Sequence, residues 1–187
     1  ELGSGTFGRV YAGTFRGHAV AIKQMPVVGE EIIKAFRKEA SITFRMQHKN
    51  VARCFGGHIM KKFVRLITER LVASLHDDLH VTKLEMSADY VRNVILQVAQ
   101  GIAYLHQNNV THRDLKSDNV MRTVLGILKL IDFGLSSSRS SSMASQGSIS
   151  GANKGTAGFM APELFMPAGG NHTVDTYAFG MLGFETV

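Results

Sequence analysis

Size and composition indicate one globular unit. The 187 residues are 44% hydrophobic and 19% charged, which excludes a disordered chain and leaves enough apolar material for a substantial core. Cys54 is the single cysteine, so an internal disulfide framework is excluded and a reducing compartment is favoured. The net charge of +6 is not gathered in a Lys/Arg run or a nucleic-acid motif, so we expect no nucleic-acid partner. No apolar run approaches the roughly 18 residues of a membrane helix, so we expect no membrane segment in this chain.

The chain opens on a glycine-rich segment that strands are expected to flank. Gly3, Gly5, Gly8 and Val10 spell the pattern G-x-G-x-x-G-x-V. The string alone is a weak signal, because a glycine-rich hairpin turn has the same spacing. The β-rich residues 10–15 follow it, however, instead of the helix that a Rossmann fingerprint requires. Glycines at these positions let the backbone approach a phosphate without a clash from Cβ atoms.

A second β-rich run and an amphipathic helix follow. Residues 18–23 end in V-A-I-K, with Lys23 as a cation at the end of a strand. From Glu30 onward, apolar and small residues recur at helical spacing: Ile32, Ile33, Phe36, Ala40 and Thr43. Glu39 follows Lys23 by sixteen residues and lies one turn from Phe36, on the inward edge of the predicted helix. The alternative for Glu39 is an ordinary solvated charge beside its basic neighbours.

The middle of the chain predicts two more strands and a long helix. Residues 48–56 indicate a turn and a strand, residues 63–71 a strand, and residues 74–79 a short helix. Residues 87–106 carry the strongest helical period, with Ser87 as a suitable N-cap. Its apolar positions are Val91, Val94, Ile95, Val98, Ile102 and Leu105. We interpret this helix as core.

Residues 112–119, HRDLKSDN, bring chemically distinct groups onto one short loop. Asp114 is a base, Lys116 a cation, and Asn119 an amide that can ligate a metal. A short apolar strand at residues 127–131 then leads into Asp132, whose carboxylate suits a hard cation. Read without its neighbours, the octet is also compatible with a polar loop between two apolar segments.

The motifs G-x-G-x-x-G-x-V, VAIK, HRDLKSDN, DFG and MAPE occur in this order along the whole chain, which therefore resembles a protein kinase. The resemblance is greatest to the tyrosine-kinase-like branch of serine/threonine kinases. It implies an α+β, two-lobed fold with a small β-rich N-lobe plus the helix αC, and a mostly helical C-lobe. We expect a partial kinase domain over residues 1–187. Its N-lobe and hinge would be residues 1–71, its partial C-lobe residues 72–187, and its activation segment residues 132–163.

The resemblance implies ATP and Mg²⁺ as cofactors and a nucleotide site between the lobes. In this family Lys23 would pair with the α- and β-phosphates, and Glu39 would hold Lys23 by an ion pair. The three motif glycines would cover the phosphates. The remaining nucleotide contacts would come from Val10, Ala21, the gatekeeper Thr68, the backbone of Glu69 and Leu71, and Met121.

The resemblance also implies a reaction, the transfer of the γ-phosphate of ATP to serine or threonine hydroxyls of a protein substrate. Asp114 would accept the hydroxyl proton, Lys116 would stabilise the phosphate charge, and Asn119 and Asp132 would ligate Mg²⁺. Lys116 and Thr156 are typical of serine/threonine specificity. His112 would be a packed residue rather than an acid or base. We expect a cytoplasmic location, or the cytoplasmic part of a larger protein.

Three further expectations concern the second half of the chain. The serine-rich residues 136–150 predict a phosphorylated activation loop, with Arg113 as the cation that docks the phosphate. Asp175 would anchor the backbone of the catalytic loop. Glu163 would lack a partner, because the helices that follow residue 187 in the family are not in this sequence. We therefore expect this chain, expressed alone, to be unstable and inactive.

Two rival functions stay open at this stage. One is a pseudokinase scaffold that binds nucleotide or partners without catalysis. Thr43 supports it, because a hydroxyl stands where a larger apolar residue is usual and could loosen αC, and so does the long serine-rich loop. The other is a tyrosine or dual-specificity kinase, which Lys116 and Thr156 disfavour.

Overall fold

A computed structural model describes most of the chain. The described residues are 1–5, 8–82, 87–132, 158–165 and 172–187. Phe133 and Gly134 of the DFG motif, the serines at 136–150 and Thr156 lie outside these ranges. The expectations attached to those residues therefore stay predictions.

The N-terminal part is a five-stranded antiparallel sheet. Its strands are β1 (Gly3–Gly5), β2 (Gly8–Phe15), β3 (His18–Pro26), β4 (Cys54–Ile59) and β5 (Phe63–Glu69), in the order β1-β2-β3-β5-β4. The two residues between β2 and β3, Arg16 and Gly17, have φ angles of 48° and 82°. Positive φ at both central residues fits a primed hairpin turn, whose twist matches that of the strands. The predicted strands of this region are confirmed.

One helix covers this sheet. Helix α1 (Glu30–Arg45) begins after Gly29 and carries Glu30 and Glu31 in its first turn, where acidic side chains oppose the helix dipole. It buries Phe36, whose ring packs directly over Gly57 of β4. A Cβ added at Gly57 would lie 2.7 Å from that ring, so glycine makes this close packing possible. The helix predicted from Glu30 is confirmed.

The C-terminal part is mixed helix and short strand. A second antiparallel sheet has the order β6-β7-β8 and is formed by β6 (Ala73–Ser74), β7 (Val120–Arg122) and β8 (Leu128–Leu130). The two long helices described here are α2 (Ala88–Gln107) and α3 (Thr173–Glu185). Short helical turns lie at Asp77–Val81, Ser117–Asn119 and Pro162–Phe165. The Ser87 hydroxyl accepts a hydrogen bond from the Tyr90 N–H, so the predicted N-cap of α2 is confirmed.

The larger core lies where α2 meets α3 and β8. Val94, Val98 and Leu105 of α2 are at most 1% exposed and share one cluster with Leu130 and Leu182. These positions follow the apolar period seen in the sequence. Truncation of a buried leucine such as Leu105 to alanine typically costs about 2–5 kcal/mol of unfolding free energy.

The loop between α1 and β4 fastens the N-terminal sheet to this core. Met46 and Val51 belong to the larger cluster, although their loop leads into the sheet. The Leu130 N–H donates to the Asn50 carbonyl oxygen, and the Ala52 N–H donates to the Leu130 carbonyl oxygen, both at 2.9 Å. The two parts are therefore in direct contact along the chain segment that precedes β4.

The described fold is a mixed α+β architecture with a β-sheet N-terminal part and a helix that matches the predicted αC. Among the described residues, no helix combines the length and the apolar character that crossing a bilayer requires. The prediction of mixed α+β structure is confirmed.

Candidate active site

Asp175 fixes the backbone of the loop that carries HRDLKSDN. Its carboxylate is fully buried at the start of α3. One oxygen, Oδ2, accepts from the His112 N–H at 2.8 Å, and the other, Oδ1, accepts from the Arg113 N–H at 2.7 Å. The ring of His106 on α2 lies 2.8 Å from Oδ2 through Nε2. The predicted anchoring of the loop by Asp175 is confirmed by these contacts.

Asp114, Lys116 and Asn119 meet on this loop. The Asn119 side chain donates through Nδ2 to the Asp114 carbonyl oxygen at 2.7 Å and to Asp114 Oδ2 at 3.0 Å. The Lys116 ammonium lies 3.9 Å from the same Oδ2. Since Nδ2 is the donor to Asp114, any metal contact by Asn119 falls to its amide oxygen.

His112 lies in the interior beneath the loop. It is fully buried, and burial lowers the pKa of its imidazole, although the nearby carboxylates of Asp175, Asp114 and Asp132 act in the opposite direction. A buried imidazole with a lowered pKa stays neutral near pH 7. Its burial agrees with the predicted packing role and leaves Asp114 as the more accessible acid–base group.

Strands β7 and β8 carry the loop to Asp132. Val120 pairs with Leu130, and the Ile131 N–H donates to the Asn119 carbonyl oxygen at 3.0 Å. Asp132 follows at once, with a φ of 59° in the left-handed region that aspartate tolerates better than most residues. This pairing holds Asn119 and Asp132 on adjacent strand ends.

Lys23 joins this group from the N-terminal sheet. Its ammonium lies 2.6 Å from Asp132 Oδ2, across 109 residues of sequence. The side chains are 16% and 34% exposed, so the pair is partly shielded from water. The contact links β3 to the end of β8 and brings the predicted cation beside the predicted metal ligand.

The predicted nucleotide-contacting side chains share one face of the sheet. Val10 lies opposite Lys23, and Ala21 lies opposite Thr68, in the antiparallel registers of β2-β3 and β3-β5. Residues directly opposite each other project to the same face, and so do residues two apart in one strand. Val10, Ala21, Lys23 and Thr68 therefore project from the same side of the sheet.

The expected ion pair between Lys23 and Glu39 is wrong for this structure. Lys23 forms its ion pair with Asp132, and none of the ion pairs among the described residues joins Lys23 to Glu39. Glu39 is 3% exposed, its Oε2 has no hydrogen-bond partner among the described residues, and burial raises the pKa of its carboxyl to about 7. Lys23 lowers this pKa and Asp132 raises it, but burial is the largest effect. Because burial disfavours the Glu39 anion, the ammonium pairs with the more exposed Asp132.

The glycines of the first hairpin differ in whether the backbone leaves room for a side chain. Gly8 has a φ of 134°, and a Cβ there would lie 2.1 Å from the Gln24 carbonyl oxygen, so the backbone itself demands glycine. A Cβ at Gly3 would meet no described atom within 4 Å. Gly5 pairs with Gly8 across the β1-β2 register. The protein's own packing therefore explains Gly8 but leaves open space at Gly3.

The segment after β5 occupies the position predicted for the hinge. One backbone donor there, the Glu69 N–H, is already bonded within the protein. The Glu69 N–H donates to the Arg53 carbonyl oxygen at 2.9 Å, so the carbonyl is the Glu69 backbone group left to contact adenine. Leu71 follows the strand as irregular chain, and Met121 pairs with Ser74 on the neighbouring sheet.

The Glu69 side chain has a role that the sequence did not indicate. Its Oε1 accepts from the Arg53 N–H at 2.7 Å and lies 2.8 Å from the Lys129 ammonium on β8. Lys129 is only 12% exposed. The ion pair joins the end of the N-terminal sheet to the second sheet, and nothing in the two isolated residues, sixty positions apart, predicts it.

Glu163 also departs from expectation. The prediction that it lacks a partner is wrong, because the Thr173 hydroxyl donates to Glu163 Oε1 at 2.9 Å. Thr173 opens α3, so a residue within the chain supplies the contact.

Comparison with known proteins identifies the family. The Protein kinase domain family matches residues 1–187. A probable serine/threonine-protein kinase of Dictyostelium discoideum is 39% identical over 99% of this chain and 20% of its own length. Serine/threonine-protein kinase STY46 of Arabidopsis thaliana is 30% identical over 99% of this chain and 32% of its own length. Dual specificity protein kinase shkE of Dictyostelium discoideum is 34% identical over 98% of this chain and 26% of its own length.

The chain belongs to the protein kinase domain family, so the resemblance read from its motifs is confirmed. It spans about a fifth to a third of the length of these relatives. Membership implies the use of ATP and Mg²⁺. The residues present fit both, because the Asp132 carboxylate and the Asn119 amide supply oxygen ligands of the kind Mg²⁺ prefers, and Lys23 supplies a cation for phosphate.

Proposed function

We propose that this chain is the catalytic part of a serine/threonine protein kinase that transfers the γ-phosphate of ATP to protein hydroxyls. The observation that carries the proposal is the meeting of Lys23 and Asp132 next to a loop on which Asp114 contacts Asn119. Residues 1–71 would be the N-lobe and hinge and residues 72–187 the partial, mostly helical C-lobe. The activation segment would be residues 132–163.

The N-lobe residues would bind the nucleotide. The open space at Gly3 and the glycine hairpin it belongs to would allow the backbone to lie close to phosphate oxygens. Val10, Ala21 and Thr68 share the sheet face with Lys23 and would contact the adenine side of the nucleotide. Their shared face supports the assignment of the nucleotide to this side of the sheet.

The hinge and the second sheet would complete the nucleotide site. The Glu69 carbonyl and the backbone of Leu71 would bond the adenine edge, and Met121 would pack beneath the ring. Lys23 would place its ammonium at the phosphates. Its ion pair with Asp132 would hold the ammonium in position, and the nearby carboxyl of Glu39 would also interact with it electrostatically.

The catalytic loop would position and deprotonate the substrate hydroxyl. Asp114 would accept the hydroxyl proton on its carboxylate, which the Asn119 amide already orients through Oδ2. Lys116, 3.9 Å from the same oxygen, would add positive charge where the transferred group gains negative charge. Mg²⁺, when bound, would neutralise phosphate charge, and Asn119 and Asp132 are the residues that would hold it.

Two features favour serine and threonine as acceptors. Lys116 follows Asp114 by two residues, as in the serine/threonine members of the family. Two of the three relatives described above carry serine/threonine-protein kinase in their names. The dual specificity named for the third relative supports a second candidate, in which tyrosine is also phosphorylated. Phospho-amino-acid analysis after reaction with a mixed peptide library separates the two.

The pseudokinase alternative loses part of its basis. The Thr43 hydroxyl, which was expected to loosen αC, is buried and donates to the Glu39 carbonyl oxygen at 3.0 Å within the helix. A satisfied hydroxyl is a smaller perturbation than an orphaned one. Lys23, Asp114, Asn119 and Asp132 are all present as well, so the parts that phosphoryl transfer needs are intact.

We also propose a protein substrate as the partner, no nucleic-acid partner, and a cytoplasmic setting or the cytoplasmic part of a larger protein.

The test is a kinase assay on the full-length protein with Asp114→Asn, and Asp118→Asn as the matched control. Asp118 is exposed on the same loop, so the same Asp-to-Asn change can be made there without altering Asp114. We expect Asp114→Asn to lower kcat by about 10²–10⁴-fold, as loss of a general base does, and Asp118→Asn to retain most of the activity. Equal activity of wild type and Asp114→Asn would remove Asp114 from the proposed role.

A further inference from the structure

Three side chains that can ligate a metal converge outside the proposed active site. They are His76 and His80, from the segment after β6, and Glu185, the last residue of α3. One ligand atom from each lies within 4.8 Å of the other two. This was the one group of three or more His, Cys, Asp and Glu side chains found within metal-binding reach in the described part of the chain.

A helical turn places the two histidines side by side. His76 immediately precedes the turn Asp77–Val81, and the Thr82 N–H closes that turn on the Asp77 carbonyl oxygen at 2.8 Å. The two imidazole centroids are 4.6 Å apart. Side chains four apart on one helical face can bind one metal together, as in the paired histidines of helical zinc sites. His80 is half exposed, so the pair is open to solvent.

Glu185, at the end of α3, supplies a carboxylate next to the two histidines. Its Oε1 lies 2.8 Å from His80 Nε2 and accepts from the Ser117 hydroxyl at 2.8 Å. Its other oxygen, Oε2, is buried and has no hydrogen-bond partner in the part of the chain that the structure describes. A buried carboxylate oxygen without a partner is costly, and a bound cation would satisfy it. The unpartnered oxygen is thus a second observation, beside the convergence of the three side chains, that favours a bound cation.

We propose that His76, His80 and Glu185 form a binding site for a divalent transition metal, with Zn²⁺ as the ion that fits best. Two imidazoles and one carboxylate are a donor set that zinc uses, with a fourth position left for water or another ligand. Nitrogen donors disfavour Mg²⁺ and Ca²⁺, which take oxygen ligands. The alternative is an ordinary hydrogen bond between His80 and Glu185, with the His76 ring tilted against that of His80.

The spacing of the three ligands is close to what zinc needs. Ligands about 2.0–2.1 Å from a tetrahedral zinc lie roughly 3.3 Å from one another. The hydrogen-bonded pair here is shorter, at 2.8 Å, and the widest separation is below 4.8 Å. Rotations of the two imidazoles and a small shift of the carboxylate would bring all three to one ion, and His80 is exposed enough to rotate.

The Ser117 hydroxyl orients the proposed ligand Glu185 through a hydrogen bond. Hydrogen bonds to a ligating carboxylate orient it, and their loss typically weakens metal binding about 10–100-fold. Ser117 is buried and comes two residues before Asn119 on the catalytic loop. The proposed metal would therefore lie against the same loop as the active site, through a ligand that the loop holds in place.

The test is direct titration of the intact protein with ZnCl₂ by calorimetry, in buffer containing millimolar MgCl₂. The variants are His80→Ala and His76→Ala, with His58→Ala as the matched control, because His58 is an exposed histidine on β4. We expect wild type and His58→Ala to bind one Zn²⁺ at this site. Loss of a ligand should weaken that binding at least as much as loss of an outer partner, by about 100-fold or more.

A third variant makes the result specific to the proposed geometry. Ser117→Ala keeps all three ligands but removes the hydrogen bond to Glu185, so we expect a weakening of about 10-fold. Absence of Zn²⁺ binding by wild type, or equal affinity in wild type, His76→Ala and His80→Ala, would overturn the proposal. Because the readout is binding rather than phosphorylation, the result does not depend on the proposed kinase activity.

Discussion

The two halves of the proposed site are held in different ways. The catalytic-loop half is fixed by direct hydrogen bonds, with Asp175 accepting from two backbone N–H groups and Asn119 donating twice to Asp114. The Lys23 half depends on one ion pair to Asp132. Nearby Glu39 is buried, with a carboxyl pKa raised to about 7 and one oxygen that no described residue hydrogen-bonds.

The difference indicates where the site can change. A loop backbone bonded to a buried carboxylate has one favoured arrangement, since every alternative leaves a buried group unsatisfied. In the other half, two carboxyl groups lie near one ammonium, and the ammonium pairs with Asp132. The structure therefore combines a catalytic loop held by several hydrogen bonds with a Lys23 group held by one ion pair, and we expect a rearrangement of the site to begin in the Lys23 half.

Among the variants that test this comparison of the two halves, Lys23→Met is expected to have the largest effect. Removal of the ammonium takes away the cation assigned to the phosphates and leaves the Asp132 carboxylate without its partner. We expect kcat to fall by about 10²–10³-fold, the usual cost of losing one preorganised charge donor. Steady-state phosphorylation by the full-length protein is the measurement. Lys61→Met, at an exposed turn between β4 and β5, is the control and should retain activity; full activity of Lys23→Met would contradict the assignment.

Asp175→Asn should be the next largest, and it acts on stability as well as activity. An amide offers one acceptor oxygen where the carboxylate offered two, so at least one buried N–H of the catalytic loop loses its partner. We expect a loss of about 2–3 kcal/mol in the free energy of unfolding, measured by denaturant titration. Asp118→Asn, on the exposed side of the same loop, should change it by less than about 0.5 kcal/mol. Equal stability of the two variants would show that the anchor is not needed.

Glu39→Gln tests the Lys23 half through the pH dependence of stability. The pKa of Glu39 is raised from 4.5 to about 7. Between these two pH values the folded state keeps a proton on Glu39 that the unfolded state has released. The stability due to this group is fully present below pH 4.5 and is lost as the pH rises through 7. Wild type should therefore lose about 2 kcal/mol relative to Glu39→Gln between pH 5 and pH 8.

The sign of that pH effect discriminates between the two pairings of Lys23. If Glu39 were the ground-state partner of Lys23, its pKa would be lowered, and wild type would gain stability relative to Glu39→Gln as the pH rises. Thermal unfolding of both proteins at matched pH values gives the difference directly. Subtracting the variant removes the contribution of the other titrating groups.

The smallest effect is expected from Lys129→Met, which removes the ion pair to Glu69. The pair is mostly shielded from water but joins only the last residue of β5 to the edge strand β8, so we expect a loss of about 1 kcal/mol. Lys34→Met is the control, since its ion pair to Glu31 on α1 is exposed and should contribute little that is measurable. A double-mutant cycle with Glu69→Gln isolates the pair, and zero coupling energy would contradict the linkage of the sheets.

The sequence predicted much of the fold because local rules apply there. The apolar period and Ser87 cap of α2 and the β-rich composition of β2 and β3 are short-range patterns. The family motifs further predicted that Asp175 contacts the catalytic loop, because such contacts recur between fixed motif positions. In each case the relevant residues are either neighbours in the chain or members of a recognisable motif.

Other contacts could not be predicted because burial decides them. The choice of Asp132 over Glu39 by Lys23 depends on how strongly each carboxylate is shielded from water. The partner of Glu163 proved to be Thr173, and the partner of Glu69 a lysine on another sheet. Nothing in a single sequence reports these distances, and the cluster of His76, His80 and Glu185 likewise joins residues more than a hundred positions apart.

We propose that Lys23, Asp114, Asn119 and Asp132 surround the phosphates of one nucleotide. A crystal structure of the full-length protein with Mg²⁺ and a non-hydrolysable ATP analogue tests it most directly. We expect the phosphates between the glycine-rich hairpin and Asp132, with Lys23 in contact with them and Asp114 facing the terminal phosphate. A nucleotide bound elsewhere, or bound here with Lys23 and Asp132 out of contact with its phosphates and metal, would show that these residues do not form the proposed site.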